Sequence, residues 1–408
     1  MRVGTATVRA VNGLTARWAA TAGDGGTVFS AAGVWPLLGF LADGAAGPAR
    51  AELAEALGLP ADRAADAARE LLAGLGATRG LDSAVGLWTR RTLELREAWS
   101  AGLPADAHGV LTGDEATDRR ALDAWAKART GGLIERMPVA STANVGLVLA
   151  NALALRTRWL SPFDEVALDT AYEPWAITQR QGLWRRSAVL DRIGVAATPH
   201  GHVTELKVLG DNALDVHLLL GEEGMTPGQV LGAGVGVLAG AHPVVSGPLL
   251  PHGEAGPGLT VCRGRSTTPD RPLLDVTTVA YDMTARHDLL ALHRLFGLTT
   301  ARDDSRGHFP GVSASPLAVG AAEQAAMARF GALGFRAAAV TAFAAVPGGM
   351  PPPVRYLTTT VEARFDRPFG FLALERHSRL VLAAGWVTDP LPLREEPWED
   401  GTAGGHGE

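Results

Sequence analysis

The chain has 408 residues, 47% hydrophobic and 20% charged, which excludes a wholly disordered polypeptide and supplies enough apolar surface for a sizeable core. Forty-three acids against thirty-seven bases give a net charge of −6, so there is no global electrostatic footprint for nucleic acid. A single cysteine, Cys262, forbids an intrachain disulfide, and no Cys/His cluster has zinc-site spacing.

Apolar residues three and four apart predict helices over Ala49 to Leu57 and Asp62 to Leu75, and another is marked by Leu122, Trp125 and Ala126, closed by Gly131-Gly132. Leu147 to Leu155 is a nearly unbroken apolar run, as expected of a strand covered on both faces. Glu205 to Leu209, the turn Gly210-Asp211-Asn212 and Leu214 to Leu220 predict a β-hairpin. Further on, Leu273 to Tyr281 and Leu380 to Val387 predict strands, and His287 to Phe296 and Ala321 to Phe330 predict helices.

From Met225 to Gly253 there is no Asp, Glu, Lys or Arg, but seven Gly and four Pro break the stretch. Its apolar pieces are too short to span about 30 Å of hydrocarbon, so it is expected to be a buried, Gly-rich connection and no membrane contact is implied. Gly232, Gly234 and Gly236 imitate a dinucleotide loop, which needs a strand before and a helix after; His242-Pro243 stands where that helix would run. No G-x-S-x-G, H-E-x-x-H or G-x-x-x-x-G-K-[ST] occurs, so no catalytic residue, metal or cofactor is assigned. The start, Met1-Arg2-Val3-Gly4-Thr5, lacks the apolar core of a secretory signal, which leads to the expectation of a cytoplasmic protein.

Five further segments, in order, carry a resemblance. They are Val28-Phe29-Ser30 with the helical Val34 to Leu41 and Gly44-Ala45-Ala46-Gly47; Leu122-Asp123-Ala124-Trp125 with Thr130 and Ile134; Val148 to Leu153 with Thr157-Arg158-Trp159 and Pro162-Phe163-Asp164; Phe309-Pro310-Gly311-Val312-Ser313 with Leu317-Ala318-Val319; and Phe365-Asp366-Arg367-Pro368-Phe369 with Gly385-Trp386-Val387 and Asp389-Pro390. Together they resemble the serpin family of serine protease inhibitors, in a bacterial-type member. The resemblance implies an α+β fold with a large, mostly antiparallel central sheet, additional sheets, about eight or nine helices and an exposed reactive loop. It implies one domain over 1–391, with 392–408 an acidic, Gly-rich disordered tail, and a monomer; extracellular location, usual for the family, is the alternative to a cytoplasmic one.

Position by position, the resemblance assigns Ser30, Asn151 and Gln324 to a polar shutter beneath the sheet and Trp159 to the breach at its top. The family often has His where Gln324 stands, and an amide both donates and accepts there. The hinge of the reactive loop falls on Gly334, Phe335, Arg336, Ala337, Ala338 and Ala339. Inhibitors of the family usually carry Ser or Thr at the Phe335 position and an acid at the Arg336 position. Burying Phe335 gains ~1.5–3 kcal/mol, while overpacking a filled gap costs ~1–3 kcal/mol, so the sign stays open. Counting forward from Gly334 puts the reactive bond at Gly348 and Gly349; counting back from Phe365 puts it at Leu357 and Thr358. Extra residues before the cut would slacken the tether to a trapped protease by about 3.3 Å each, which favours Gly348 and Gly349. Ala344, Ala345, Val346, Pro347 and Gly348 suit an elastase-like or subtilisin-like protease. The implied function is suicide-substrate inhibition without enzymatic activity; the alternative is a non-inhibitory binding or interaction module.

Overall fold

The computed structural model describes residues 3–139, 145–266, 270–335 and 356–393. Helix α1 (Thr5–Ala19) buries Val8, Val11, Leu14 and Trp18, whose three- and four-residue spacing forms one stripe. Strand β1 (Thr27–Phe29) leads into α2 (Ala31–Gly44). Ser30 caps α2, its hydroxyl accepting from the Gly33 amide at 3.1 Å. Nearly every residue of α2 is buried, as in a helix enclosed on all sides. Helices α3 (Gly47–Leu57) and α4 (Ala61–Gly76) follow, then β2 (Leu81–Arg90), α5 (Glu97–Ala101), β3 (His108–Leu111) and α6 (Glu115–Arg129).

The middle of the chain holds β4 (Leu147–Leu155), β5 (Thr157–Arg158), β6 (Asp164–Leu168), α7 (Glu173–Ala176), β7 (Arg180–Ser187), β8 (Ile193–Thr198), and the hairpin β9 (Gly201–Val208) and β10 (Leu214–Gly221). The uncharged stretch after it is not a loop at its start. Thr226 and Gln229 form a capping box that satisfies the first amides of α8 (Pro227–Leu238), and Val230, Leu231 and Val235 are buried. The three glycines that imitate a dinucleotide loop therefore lie inside a helix. Strands β11 (Val244–Ser246), β12 (Gly253–Gly256), β13 (Leu259–Ser266), β14 (Leu273–Val279) and β15 (Tyr281–Asp288) follow. The helix expected over His287 to Phe296 is absent, because His287 and Asp288 end β15 and turns replace it.

Ala321 to Phe330 also departs from expectation, lying in strand β16 (Val319–Gly331). Alanine is the best helix former, but here it is small enough to be covered on both faces of a central strand, and packing overrides propensity. The last strands among the described residues are β17 (Gly334–Phe335), β18 (Tyr356–Arg364), β19 (Phe369–Glu375) and β20 (Leu380–Val387). Among the described residues there are eight α-helices, none long and apolar enough to cross a membrane.

The described residues form three sheets. The main sheet runs β3-β2-β4-β16, with β15 on the far side of β16 and the short β17 and β5 at one end. A second, antiparallel sheet runs β1-β20-β19-β10-β9-β8-β11, and a third runs β12-β13-β18-β14-β7-β6. At the centre of the main sheet β4 and β16 pair in parallel, with Asn151 opposite Gln324. The inner face of these strands, with Leu149, Leu153, Ala326 and Phe330, belongs to the main apolar core. The outer face, with Val148, Ala150, Ala321 and Ala325, packs with Leu122 and Ala126 of α6.

Candidate functional site at the centre and mouth of the main sheet

The backbone of Ser30, at the junction of β1 and α2, meets the middle of the main sheet through Gln324. The Gln324 amide accepts from Ser30 N at 2.8 Å, and donates to Ser30 O at 2.8 Å and to Asn151 Oδ1 at 2.7 Å. Asn151 Nδ2 donates in turn to Ala84 O of β2 at 2.9 Å, and the Ser30 hydroxyl donates to Leu382 O of β20 at 2.5 Å. All three side chains are buried, where a polar group left unpaired costs about 1–3 kcal/mol. One network thus ties β2, β4, β16, α2 and β20 together. Gly33 is required beside it, since a Cβ there would stand 2.2 Å from Asn151 Oδ1.

His287, on β15, is the cross-strand partner of Gln324. Its Nε2–H donates to Val28 O at 2.9 Å, its ring meets Trp18 edge-on at 5.2 Å, and burial holds its pKa below the usual histidine value. Sequence patterning missed this residue, because only the β15–β16 register brings it to Gln324.

The mouth of the sheet lies at the far end of β4 and β16. There β17 folds back on β16 and also pairs with β5, in the register Phe330↔Phe335 and Gly334↔Arg158. A Cβ on Gly334 would fall 2.2 Å from Thr157 O, so glycine lets two backbones approach. Phe335 is 2% exposed and its ring lies 6.3 Å from that of Phe371. Tyr281 stacks between Phe330 and Phe371 at 5.4 Å from each. Trp159 closes the corner: its backbone amide donates to Leu333 O at 3.0 Å, its indole donates to Gly331 O at 2.9 Å, and its ring lies 4.9 Å from Phe330. The aromatic set under the mouth, Tyr281, Phe330 and Phe371, escaped sequence reasoning because its members come from three strands in two different sheets.

Residues 11–181 match the family model for serpins, serine protease inhibitors. No curated protein matches the sequence. Solved structures of similar shape include a thyroxine-binding globulin in complex with thyroxine, 17% identical over 95% of this chain and 99% of that one, with a TM-score of 0.71. Serpin48 of the insect Tenebrio molitor is 17% identical over 94% of this chain and 98% of its own, with a TM-score of 0.68. The thermophilic serpin tengpin in its native state is 14% identical over 94% of this chain and 93% of its own, with a TM-score of 0.70.

The chain has the serpin fold. Of the residues that the serpin resemblance singles out, Ser30, Asn151 and Gln324 are joined by hydrogen bonds, and Trp159, Gly334 and Phe335 meet at the mouth. Arg336, Ala337, Ala338, Ala339, Gly348 and Gly349 lie outside the described residues. Leu357 and Thr358 lie in β18, paired with Arg265 and Gly264 of β13.

Proposed function

We propose that this chain is a serpin of bacterial type that inhibits a serine protease as a suicide substrate. The protease serine would attack the Gly348 carbonyl and release the Gly349 amine. The acyl-linked loop would then enter the main sheet between β4 and β16. The observation that carries this reading is the direction of β17. It already lies between β5 and β16, antiparallel to both, and its direction, if continued, would run down the parallel seam. Insertion would replace one parallel pairing with two antiparallel ones, which are slightly more stable per residue.

Continuing the register from Phe330↔Phe335 and Thr157↔Phe335 puts Thr341 between Asn151 and Gln324. Phe335, Ala337, Ala339 and Thr341 would then share the inner face. Small residues suit that passage, since they surrender little side-chain entropy, and a hydroxyl at position 341 would stand level with the amides that the entering strand would separate. From Phe335 to Gly348 the inserted strand spans about 40 Å at about 3.3 Å per residue, enough to carry an attached protease to the far end of the sheet. A cut at Leu357–Thr358 would need β18 stripped from β13, which supports Gly348–Gly349. The small residues before Gly348 suit an elastase-like or subtilisin-like target, engaged by a monomer.

Incubation with a subtilisin-like protease is expected to yield a complex that survives boiling in detergent, with intact mass placing the cut after Gly348. Complete cleavage without that complex overturns the proposal.

A second reading, a non-inhibitory binding module, is favoured by Phe335, which is already seated against Phe371 and must be accommodated by any further insertion. Under it, cutting the loop leaves the melting temperature unchanged, whereas insertion raises it.

A further inference from the structure

A second site lies behind the mouth, where the chain leaving β5 meets β7 and β9. Leu160 N donates to Leu209 O at 2.9 Å, and Arg185 Nη1 donates to Ser161 O at 2.7 Å. Between these segments is a cavity of about 160 Å³ whose lining includes Arg185, Arg192, Lys207, Ser161 and Ser187, with no acidic residue.

Arg185 is the unusual member. It is 9% exposed, its guanidinium carbon lies 4.3 Å from the centre of the Phe163 ring, and its Nε is buried with no hydrogen-bond partner among the described residues. A guanidinium carries five N–H donors, and a buried charge is costly unless it is paired and hydrogen-bonded. Burial, with the charge of Arg192 adding to it, pushes the Arg185 pKa down to about 10. Neither arginine forms an ion pair among the described residues; Lys207 stands 3.6 Å from Glu205 Oε2, outside the cavity lining.

We propose that Arg185, Arg192 and Lys207, with the hydroxyls of Ser161 and Ser187, form a binding site for a tetrahedral oxyanion, a phosphate or sulfate group. The planar fork of a guanidinium matches two oxygens of such a group, and charge-assisted bonds are the strong ones. An anion here would supply the direct ion partner that Arg185 and Arg192 lack among the described residues and would fasten Leu160–Ser161 to β7 and β9; Arg192 and Lys207 also border a neighbouring pocket that holds Glu205 and Asp215. Leu160 and Ser161 directly follow Trp159, which holds the turn into Gly334.

The test is calorimetric titration of the intact protein with inorganic phosphate, inorganic sulfate and a sulfated disaccharide, each against sodium chloride of equal ionic strength. Saturable binding is expected for the wild type, weakened at least about tenfold in Arg192→Gln, as loss of one charge-assisted contact requires. Arg185→Met, which replaces a buried charge with an apolar chain, is expected to lose the same binding. Arg192 is only partly buried, so Arg192→Gln tests the site even where Arg185→Met fails to fold. Binding of the free ions identifies a free oxyanion as the ligand; binding of the disaccharide alone identifies a group carried on a larger molecule. No saturable binding of any of the three, or binding untouched by Arg192→Gln, overturns the proposal.

Discussion

The centre and the mouth of the seam between β4 and β16 are closed in different ways. At the centre the seam is held by side-chain amides that bridge β4, β16 and the backbone of Ser30. At the mouth it is filled by a two-residue strand and one aromatic ring, Phe335, held by packing and a few backbone pairs. The first closure breaks only if several buried polar groups lose partners together. The second can detach as a short local segment, and segments with few contacts open at low free energy. A sheet latched in its middle and wedged at its end is suited to opening from the end inward.

The largest expected effect is at the latch. Gln324→Ala leaves Ser30 N, Ser30 O and Asn151 Oδ1 without this partner, at a cost of about 3 kcal/mol, read as a lower urea midpoint of the uncut protein. Phe335→Ala removes a ring of the size that costs about 3–5 kcal/mol in a rigid core. Because β17 can undock alone, the global loss is expected to be smaller, about 1–2 kcal/mol, with faster proteolysis at the loop. If Phe335→Ala costs more than Gln324→Ala, the mouth is a rigid part of the core and the contrast fails.

Much of the latch was legible in the sequence. Ser30 and Asn151 stand in motifs whose order points to the fold, Gln324 is singled out only by its position in the serpin resemblance, and the apolar run of β4 identifies a central strand directly. The β16 segment was not legible by pattern, because an alanine run has helical propensity and its strand state depends on coverage of both faces by other elements. His287 and the aromatic set at the mouth depend on register between distant segments, which no local periodicity encodes. The uncharged stretch after Met225 was misread because glycine count outweighed the capping box at Thr226 and Gln229.

The outer face of β16 offers a pH test of the seam. Glu323 faces outward beside Ala321 and Ala325, with Asp288 as its cross-strand partner. Burial, then the Asp288 charge, raises its pKa from 4.5 to about 8. A carboxyl with a raised folded pKa imposes no penalty below the unfolded value, where it is protonated in both states. The penalty grows from about pH 4.5 to about pH 8 and is complete above that. Glu323→Gln is therefore expected to stabilise the uncut protein by about 1–2 kcal/mol at pH 8, allowing for solvent screening, and to change nothing at pH 4. Equal gains at both pH values would assign the effect to packing instead.

The smallest effect concerns the first step beyond the wedge. In the continued register Arg336 comes between Arg156 and Arg329 on the outer face, and each of those is already paired with an aspartate, Asp82 and Asp282. A third cation entering between two satisfied pairs meets like charge directly across the strands, which costs roughly 0.2–1 kcal/mol per pair. Arg336→Glu reverses the sign of that encounter. Under the proposed inhibition, loop entry is then expected to quicken by up to about fivefold, the equivalent of about 1 kcal/mol, read as fewer molecules cleaved for each protease trapped. If Arg336 acts only during insertion, the stability of the uncut form is expected to stay within ~0.5 kcal/mol of wild type. A change in stability without a change in trapping would place Arg336 in the resting structure of the mouth and remove it from the seam.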